Sequence, residues 1–174
     1  KTDLLKVEEQ LHGLASNSHE SLAGLVKHVA EIPGKRMRPA VALLASKFHE
    51  IEGQSHVVMA TAVELLHIAS LVHDDTVDNS PLRRGSATAS NLWGDNIAVL
   101  IGDYLFAASA VFVADTNNVR VIRRFSETIM ELSTGQLLER FSAFKWTSTI
   151  EDYKHRIHNK AASLFRTAAE SGAI

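Results

Sequence analysis

Residues 64–78, Glu64-Leu65-Leu66-His67-Ile68-Ala69-Ser70-Leu71-Val72-His73-Asp74-Asp75-Thr76-Val77-Asp78, decide how this chain is read. The run Val57 to Val72 is apolar at nearly every position, as a helix covered on several sides must be. Three carboxylates stand at its C-terminal end, and Arg83-Arg84-Gly85 follow a Pro-containing loop. A helix C-terminus carries partial negative charge, so acid collected there calls for cations to relieve it. Asp74 and Asp78 are four residues apart and share one helix face. Carboxylates in that arrangement suit magnesium, which keeps waters and is commonly held by one or two carboxylates together with substrate phosphates. The two arginines supply forked donors for the same phosphates.

An acidic helix end is ordinarily a solvated turn, and Arg-Arg after it ordinary surface pairing. Three features oppose that reading. The acids follow an apolar helix rather than a polar one. The loop through Pro81 lets the arginines fold back toward the acids. A second basic cluster, Gly34-Lys35-Arg36-Met37-Arg38-Pro39, lies upstream.

Composition narrows the class. The chain has 174 residues, 45% hydrophobic and 22% charged, which is enough for one domain with a buried core. The net charge of −2 gives no basic balance for non-specific nucleic-acid binding. Cysteine is absent, which excludes a disulfide framework and a Cys-based zinc site. No signal peptide is visible, and a first residue of Lys leads us to expect a trimmed N-terminus. The apolar stretch Ile97–Ala114 approaches membrane-span length, but Gly102-Asp103 interrupts it. We therefore expect a buried core helix and no transmembrane segment.

Apolar spacing is helical almost throughout, and strand signals are weak. The spacing predicts about eight helices, at 3–15, 19–31, 37–50, 55–75, 88–93, 96–114, 118–143 and 150–172. Pro39 suits the first turn of a helix. Thr149 with Asp152 forms a capping-box pattern that starts the last one. Helices 55–75 and 96–114 are apolar almost all round and are expected to be central and covered. Asp103, in the second of these, is expected to be structural and to need a partner. No repeat, low-complexity tract or linker appears. The expected fold is an all-α helical bundle in which residues 1–174 form a single domain.

Several strings then combine into one pattern. GKRMRP (Gly34–Pro39), ELLHIASLVHDD (Glu64–Asp75), DDTVD (Asp74–Asp78), RRG (Arg83–Gly85), WG (Trp93-Gly94) and LIGDYL (Leu100–Leu105) occur in this order. Gly135-Gln136 and KAASLF (Lys160–Phe165) follow. Together they resemble the trans-isoprenyl (polyprenyl) diphosphate synthase family over nearly the whole chain, as the N-terminal half of such an enzyme. A second Asp-rich motif, present in that family, does not follow within these residues.

The resemblance implies the isoprenoid-synthase helical bundle, here its N-terminal portion. It implies a prenyltransferase that condenses isopentenyl diphosphate head-to-tail (1′-4) with an allylic diphosphate, using Mg²⁺. By resemblance, Asp74 and Asp78 ligate the metal and Asp75 assists. Arg83 and Lys160 contact the allylic diphosphate, and Gln136 lines the cleft. Lys35, Arg38, His67 and Arg84 match the isopentenyl-diphosphate site. Arg36, between two matched residues, is expected to face outward or brace its loop. His73 is assigned no role. Three positions depart from the family pattern. Ala161 stands where Thr is common, Ala87 where Pro is common, and Ser90 where His or Asn is common.

Ala69 and Ser70 lie one turn before the acids, where short-product relatives tend to place an aromatic floor. Small residues there imply an open path and a long-chain product, with Leu66 and Val63 as deeper floors. Ala and Ser also simply permit close helix packing. The resemblance further implies a homodimer in the cytoplasm, with no nucleic-acid partner. A bundle ending at Ile174 is expected to leave faces of its central helices uncovered, and residues 1–174 alone are expected to be inactive. The alternatives are a terpene cyclase of the same fold and a non-catalytic or regulatory subunit of a hetero-oligomeric synthase. The former lacks a GKRxRP–RRG site. The retained Asp74, Asp78, Arg83 and Arg84 speak against the latter.

Overall fold

The computed structural model describes residues 2–16, 18–50 and 53–174. Its elements in chain order are α1 (Thr2–Ser16), α2 (Glu20–Glu31), α3 (Met37–Ala45), a 3₁₀ turn (Ser46–Phe48) and α4 (Ser55–Val77). A two-stranded hairpin follows, β1 (Leu82–Arg83) and β2 (Ser86–Ala87). Then come α5 (Ala89–Trp93), α6 (Asp95–Asp115), α7 (Val119–Ser142), α8 (Ile150–Ile157), a π-helical turn (His158–Ala162) and α9 (Ser163–Gly172). The all-α reading holds, with the short hairpin as the one addition among the described residues.

The architecture follows from α4. Val57, Ala60, Val63, Leu65, Leu66 and Ala69 are essentially inaccessible, so this helix is buried around its circumference. It packs against α6, α3, α1 and α9. Burying a Val or Leu side chain contributes roughly 1.5–3 kcal/mol relative to leaving it exposed, so such a helix has one stable place, the middle of the bundle.

The end of α4 resolves the charge conflict expected from the sequence. Asp78 is the C-cap, and Asn79 turns left-handed with φ of 51°. The Ser80 N–H donates to the Asp75 carbonyl (2.9 Å) and the Asn79 N–H to the Thr76 carbonyl (3.3 Å). That is the Schellman arrangement, and it satisfies carbonyls that a helix end otherwise leaves open. The Arg140 guanidinium of α7 donates to the Val77 carbonyl (3.1 Å), placing a cation at the negative helix end.

Four expectations change. The predicted helix 37–50 stops at Ala45 and passes through the 3₁₀ turn. The predicted helix 150–172 is continuous but underwound into a π turn in its middle. Residues 82–87, read as loop, pair as a hairpin with Leu82 opposite Ala87 and Arg83 opposite Ser86. Its two-residue turn is Arg84-Gly85, with φ of 51° and 84°. Two consecutive positive-φ residues are what a twisted two-residue hairpin turn demands, and Gly85 meets the demand without steric cost.

The fourth change concerns α6. It was expected to be covered, but 33% of its most apolar stretch is buried, against 67% for α4. Both helices are long and apolar enough to cross a membrane by length and composition. Helix α4 is instead enclosed by protein. Helix α6 shows Ile97, Val99, Leu100 and Val111 on its outer face, and α7 exposes Met130, Leu137 and Phe141. Of the two helices expected to be central, α6 leaves apolar residues uncovered and α4 does not. Thr149 and Asp152 form the predicted capping box of α8, and Pro39 sits in the first turn of α3.

Candidate functional site

Eight of the twelve predicted site residues line two clefts that open at successive turns along α4. The first is a cavity of about 530 Å³ lined by Lys35, Arg38, His67, Arg84 and Phe165, among others. All four residues matched to the isopentenyl-diphosphate site are therefore together. They come from the loop before α3, from α3 itself, from α4 and from the hairpin turn.

Arg36 keeps this arrangement in place. It enters α3 from a left-handed backbone (φ 48°) and turns its side chain inward. Its guanidinium donates to Glu8 (2.6 Å), to Glu64 (2.8 Å) and to the Ala30 carbonyl (3.2 Å). It thus ties α1, α2 and α4 to the loop carrying Lys35, which settles the expectation in favour of bracing. With Arg36 anchored by Glu8 and Glu64, Lys35 and Arg38 remain for the cavity.

Arg38 stacks over the Phe165 ring at 4.5 Å and donates from Nη1 to His67 Nε2 at 3.0 Å. The arginine can only donate, so Nε2 accepts and the histidine proton sits on Nδ1. Burial, then the charges of Arg38, Arg84 and Arg83, hold the His67 pKa down to about 3. The cavity therefore presents guanidinium groups and a neutral imidazole. Arg84 also donates to the Pro33 carbonyl, fixing the turn over the same cavity.

The second cleft, of about 330 Å³, lies between α4, α6 and α7. Its lining includes Ser70, Asp74, Phe106, Leu132, Gln136 and Lys160. Asp74 is half-buried. Burial raises its pKa, while Lys160 and Arg83 pull it back down. Both polar atoms of the Gln136 amide are buried without a partner, leaving them for an occupant of the cleft. Asp78, one turn beyond Asp74, is exposed.

Asp75 departs from its expected role. It is 5% exposed and points away from the cleft into a bidentate pair with Arg83, both bonds 2.6 Å. Its oxygens are committed to the guanidinium, so it does not stand beside Asp74 as a metal ligand. Arg83 in turn is held by Asp75 rather than projecting freely, and it lines neither cleft.

Ala69 also departs. It is fully buried in the hydrophobic core, while Ser70 lines the cleft and donates to the His67 carbonyl (2.8 Å). Leu66 and Val63 are core residues as well. Of the four positions read as tail contacts, Ser70 alone is among the cleft-lining residues.

Other residues of the site were not foreseen. His73, given no role, lines the second cleft, tilts against Phe106 (5.2 Å between rings) and reaches the Val99 carbonyl at 3.1 Å. Gly102 makes this possible, because a Cβ there would fall 2.1 Å from the His73 ring. Asp103, expected to be buried, is 63% exposed and lies 3.5 Å from His73, so burial imposes no partner on it. Glu139 pairs with Lys160 at the cleft rim. It stands three residues after Gln136, and helical spacing was the signal that could have found it.

The donor set fits a hard cation in part. Among the described residues no three His, Cys, Asp or Glu side chains converge as a ready-made metal centre. Asp74 and Asp78 offer carboxylate oxygen one turn apart, a partial site of the kind magnesium completes with water and phosphate oxygen.

The polyprenyl synthetase family pattern matches residues 19–174. Heptaprenyl diphosphate synthase component 2 of Geobacillus stearothermophilus is 36% identical over 174 residues, covering 99% of this chain and 54% of the relative. Octaprenyl diphosphate synthase of Escherichia coli K12 is 36% identical over 141 residues, covering 81% and 44%. The crystal structure of a decaprenyl diphosphate synthase from Rhodobacter capsulatus superposes with a TM-score of 0.92 at 35% identity, covering 98% of this chain and 53% of that one. A polyprenyl synthase from Caulobacter crescentus, solved with calcium and isoprenyl diphosphate, gives 0.92 at 31%, covering 99% and 52%. The chain spans about half the length of these relatives. It belongs to the polyprenyl synthetase family and has the all-α fold of the isoprenoid synthases.

Proposed function

We propose that this chain is the N-terminal part of a long-chain trans-prenyltransferase, with residues 1–174 forming one of its domains. The enzyme condenses isopentenyl diphosphate 1′-4 with an allylic diphosphate to give a trans-polyprenyl diphosphate. The observation that carries the reading is the pair of clefts along α4, one cationic and one combining carboxylate, lysine and apolar wall.

The cationic cleft binds the isopentenyl diphosphate. Lys35, Arg38 and Arg84 neutralise its charge, and neutral His67 adds an Nδ1–H donor at no electrostatic cost. The other cleft takes the allylic diphosphate, whose C–O bond breaks to release pyrophosphate and leave a delocalised carbocation. Lys160 and Arg83 stabilise the charge that develops on the leaving group. Asp74 and Asp78 are the residues to hold Mg²⁺. When bound, this ion supplies Lewis-acid stabilisation of the departing pyrophosphate. Phe106 and Leu132 keep water from the carbocation, which the isopentenyl double bond then attacks before a proton is lost. No side-chain nucleophile enters, so the lack of cysteine is no obstacle.

A long product follows from the small Ser70 on the cleft wall and from relatives named for heptaprenyl, octaprenyl and decaprenyl products. A homodimer in the cytoplasm is the assembly and location we propose. The name of the Geobacillus relative, "component 2", makes a two-component assembly the alternative.

The test is to incubate the full-length protein with farnesyl diphosphate, labelled isopentenyl diphosphate and Mg²⁺, and to separate the dephosphorylated products. Long polyprenols are expected. No elongation by folded protein would turn the reading toward a regulatory subunit.

A further inference from the structure

Lys160 is presented in an unusual way. It sits inside the π-helical turn His158–Ala162, between α8 and α9. Such turns insert one extra residue into the helical repeat and re-aim the side chains beside it. The turn is pressed against α7 at Gly135, where a Cβ would lie 2.7 Å from the Lys160 backbone nitrogen. The absent side chain at Gly135 therefore lets the two backbones touch. The Lys160 ammonium then meets Glu139 on the same helix α7, one turn on from Gly135. The Lys160 side chain is 34% exposed and that of Glu139 44%, so both ends of this pair are open to solvent, and Lys160 also lines the second cleft.

The backbone of Lys160 is thus fixed by packing, while its ammonium is held by a solvent-accessible carboxylate. Pairs of that exposure are weak and readily exchanged. A diphosphate offers more charge and more acceptor oxygens than one carboxylate.

We propose that Glu139 is a competing counter-ion that parks Lys160 at the cleft rim until a diphosphate replaces it, and so sets the affinity of this cleft for its ligand. Glu139 is a positioning residue that acts through Lys160. The proposal rests on the prenyl-transfer reading in taking a diphosphate as the occupant. The same carboxylate lies on α7 with Gln136, so the cleft has its cation paired with Glu139 and the Gln136 amide without a protein partner.

The experiment is a double-mutant cycle on the full chain, with inorganic pyrophosphate as the probe. Calorimetry on wild type, Glu139→Gln, Lys160→Met and the double variant is run with EDTA and again with Mg²⁺. Glu139→Gln is expected to tighten pyrophosphate binding about two- to fivefold, the exchange value of an exposed ion pair. The gain should vanish in the Lys160→Met background. The Lys160 Nζ resonance of wild type should move on pyrophosphate saturation toward its position in Glu139→Gln, a change that a merely structural Glu139 would not produce. Unchanged affinity for Glu139→Gln overturns the proposal. So does weakened binding confined to the Mg²⁺ series, which makes Glu139 a metal ligand. Wild type that is folded but binds no pyrophosphate in either buffer sinks the prenyl-transfer reading, and this role of Glu139 with it.

Discussion

Asp75 and Arg83 are joined by two parallel hydrogen bonds of 2.6 Å, a fork-to-fork pair that clips the hairpin to the end of α4. The carboxylate is 6% exposed and the guanidinium 27%, so the pair is shielded on the acid side and reachable by solvent on the other. Geometry of this kind fixes position as well as charge. It places Arg83 beside Asp74 and removes Asp75 from the set of free acids.

Asp75→Ala is therefore expected to behave as a structural lesion. Arg83 loses its only side-chain partner among the described residues, and the cost is about 2–3 kcal/mol, below that of a fully buried pair because Arg83 can hydrate. Urea denaturation reads this directly. Binding of Mg²⁺ with pyrophosphate should weaken less than in Asp74→Ala. Equal loss in both variants would return Asp75 to the metal site.

Asp74→Ala should abolish elongation while leaving isopentenyl-diphosphate binding nearly intact, because Asp74 is not among the residues that line the cationic cleft. Turnover and equilibrium binding are measured separately. Parallel loss of both quantities contradicts the division into two clefts.

His67 makes stability depend on pH. Its folded pKa of about 3 lies below the ordinary 6.5, so between those values the unfolded chain binds a proton that the folded one refuses. Stability from this group is full above pH 6.5 and is lost as pH falls, at up to about 1.4 kcal/mol per pH unit. Denaturation midpoints from pH 7 to pH 4 should flatten in His67→Gln. The groups facing His67 are Arg38, Arg84, Arg83 and Arg36, so pyrophosphate bound among them should raise its pKa, visible in the imidazole resonances. A pKa that stays put on pyrophosphate saturation places the anion elsewhere.

Ser70→Phe should shorten the product, because Ser70 faces the second cleft. Ala69→Phe should instead destabilise the fold by roughly 1–3 kcal/mol, because Ala69 is sealed in the core. Product chromatography and thermal melts on both variants separate the effects. A shortened product from Ala69→Phe with an unchanged melting temperature would restore Ala69 as a tail contact.

Much of this protein was legible along the chain because it is written in local rules. The apolar helix that needed covering, the acids spaced by one turn, the capping box at Thr149 and the glycine after two arginines each follow from a few neighbouring residues. The grouping of Lys35, Arg38, His67 and Arg84 was expected from resemblance, and the cavity contains all four. The hairpin escaped notice because a two-residue strand has no periodicity to read. The fate of α6 escaped because an apolar sequence does not say which neighbour covers it.

The sequence by itself determined the helices, the acidic helix end and the family, since periodicity, caps and motif spacing are local and one-dimensional. Tertiary structure alone decided which carboxylate is free. Asp74 and Asp75 are adjacent and chemically identical, yet one faces a cleft with Lys160 and the other is locked to Arg83. The same holds for Ala69 and Ser70. Neighbours on a helix point about 100° apart, so their partners come from different elements, and only packing of those elements assigns them.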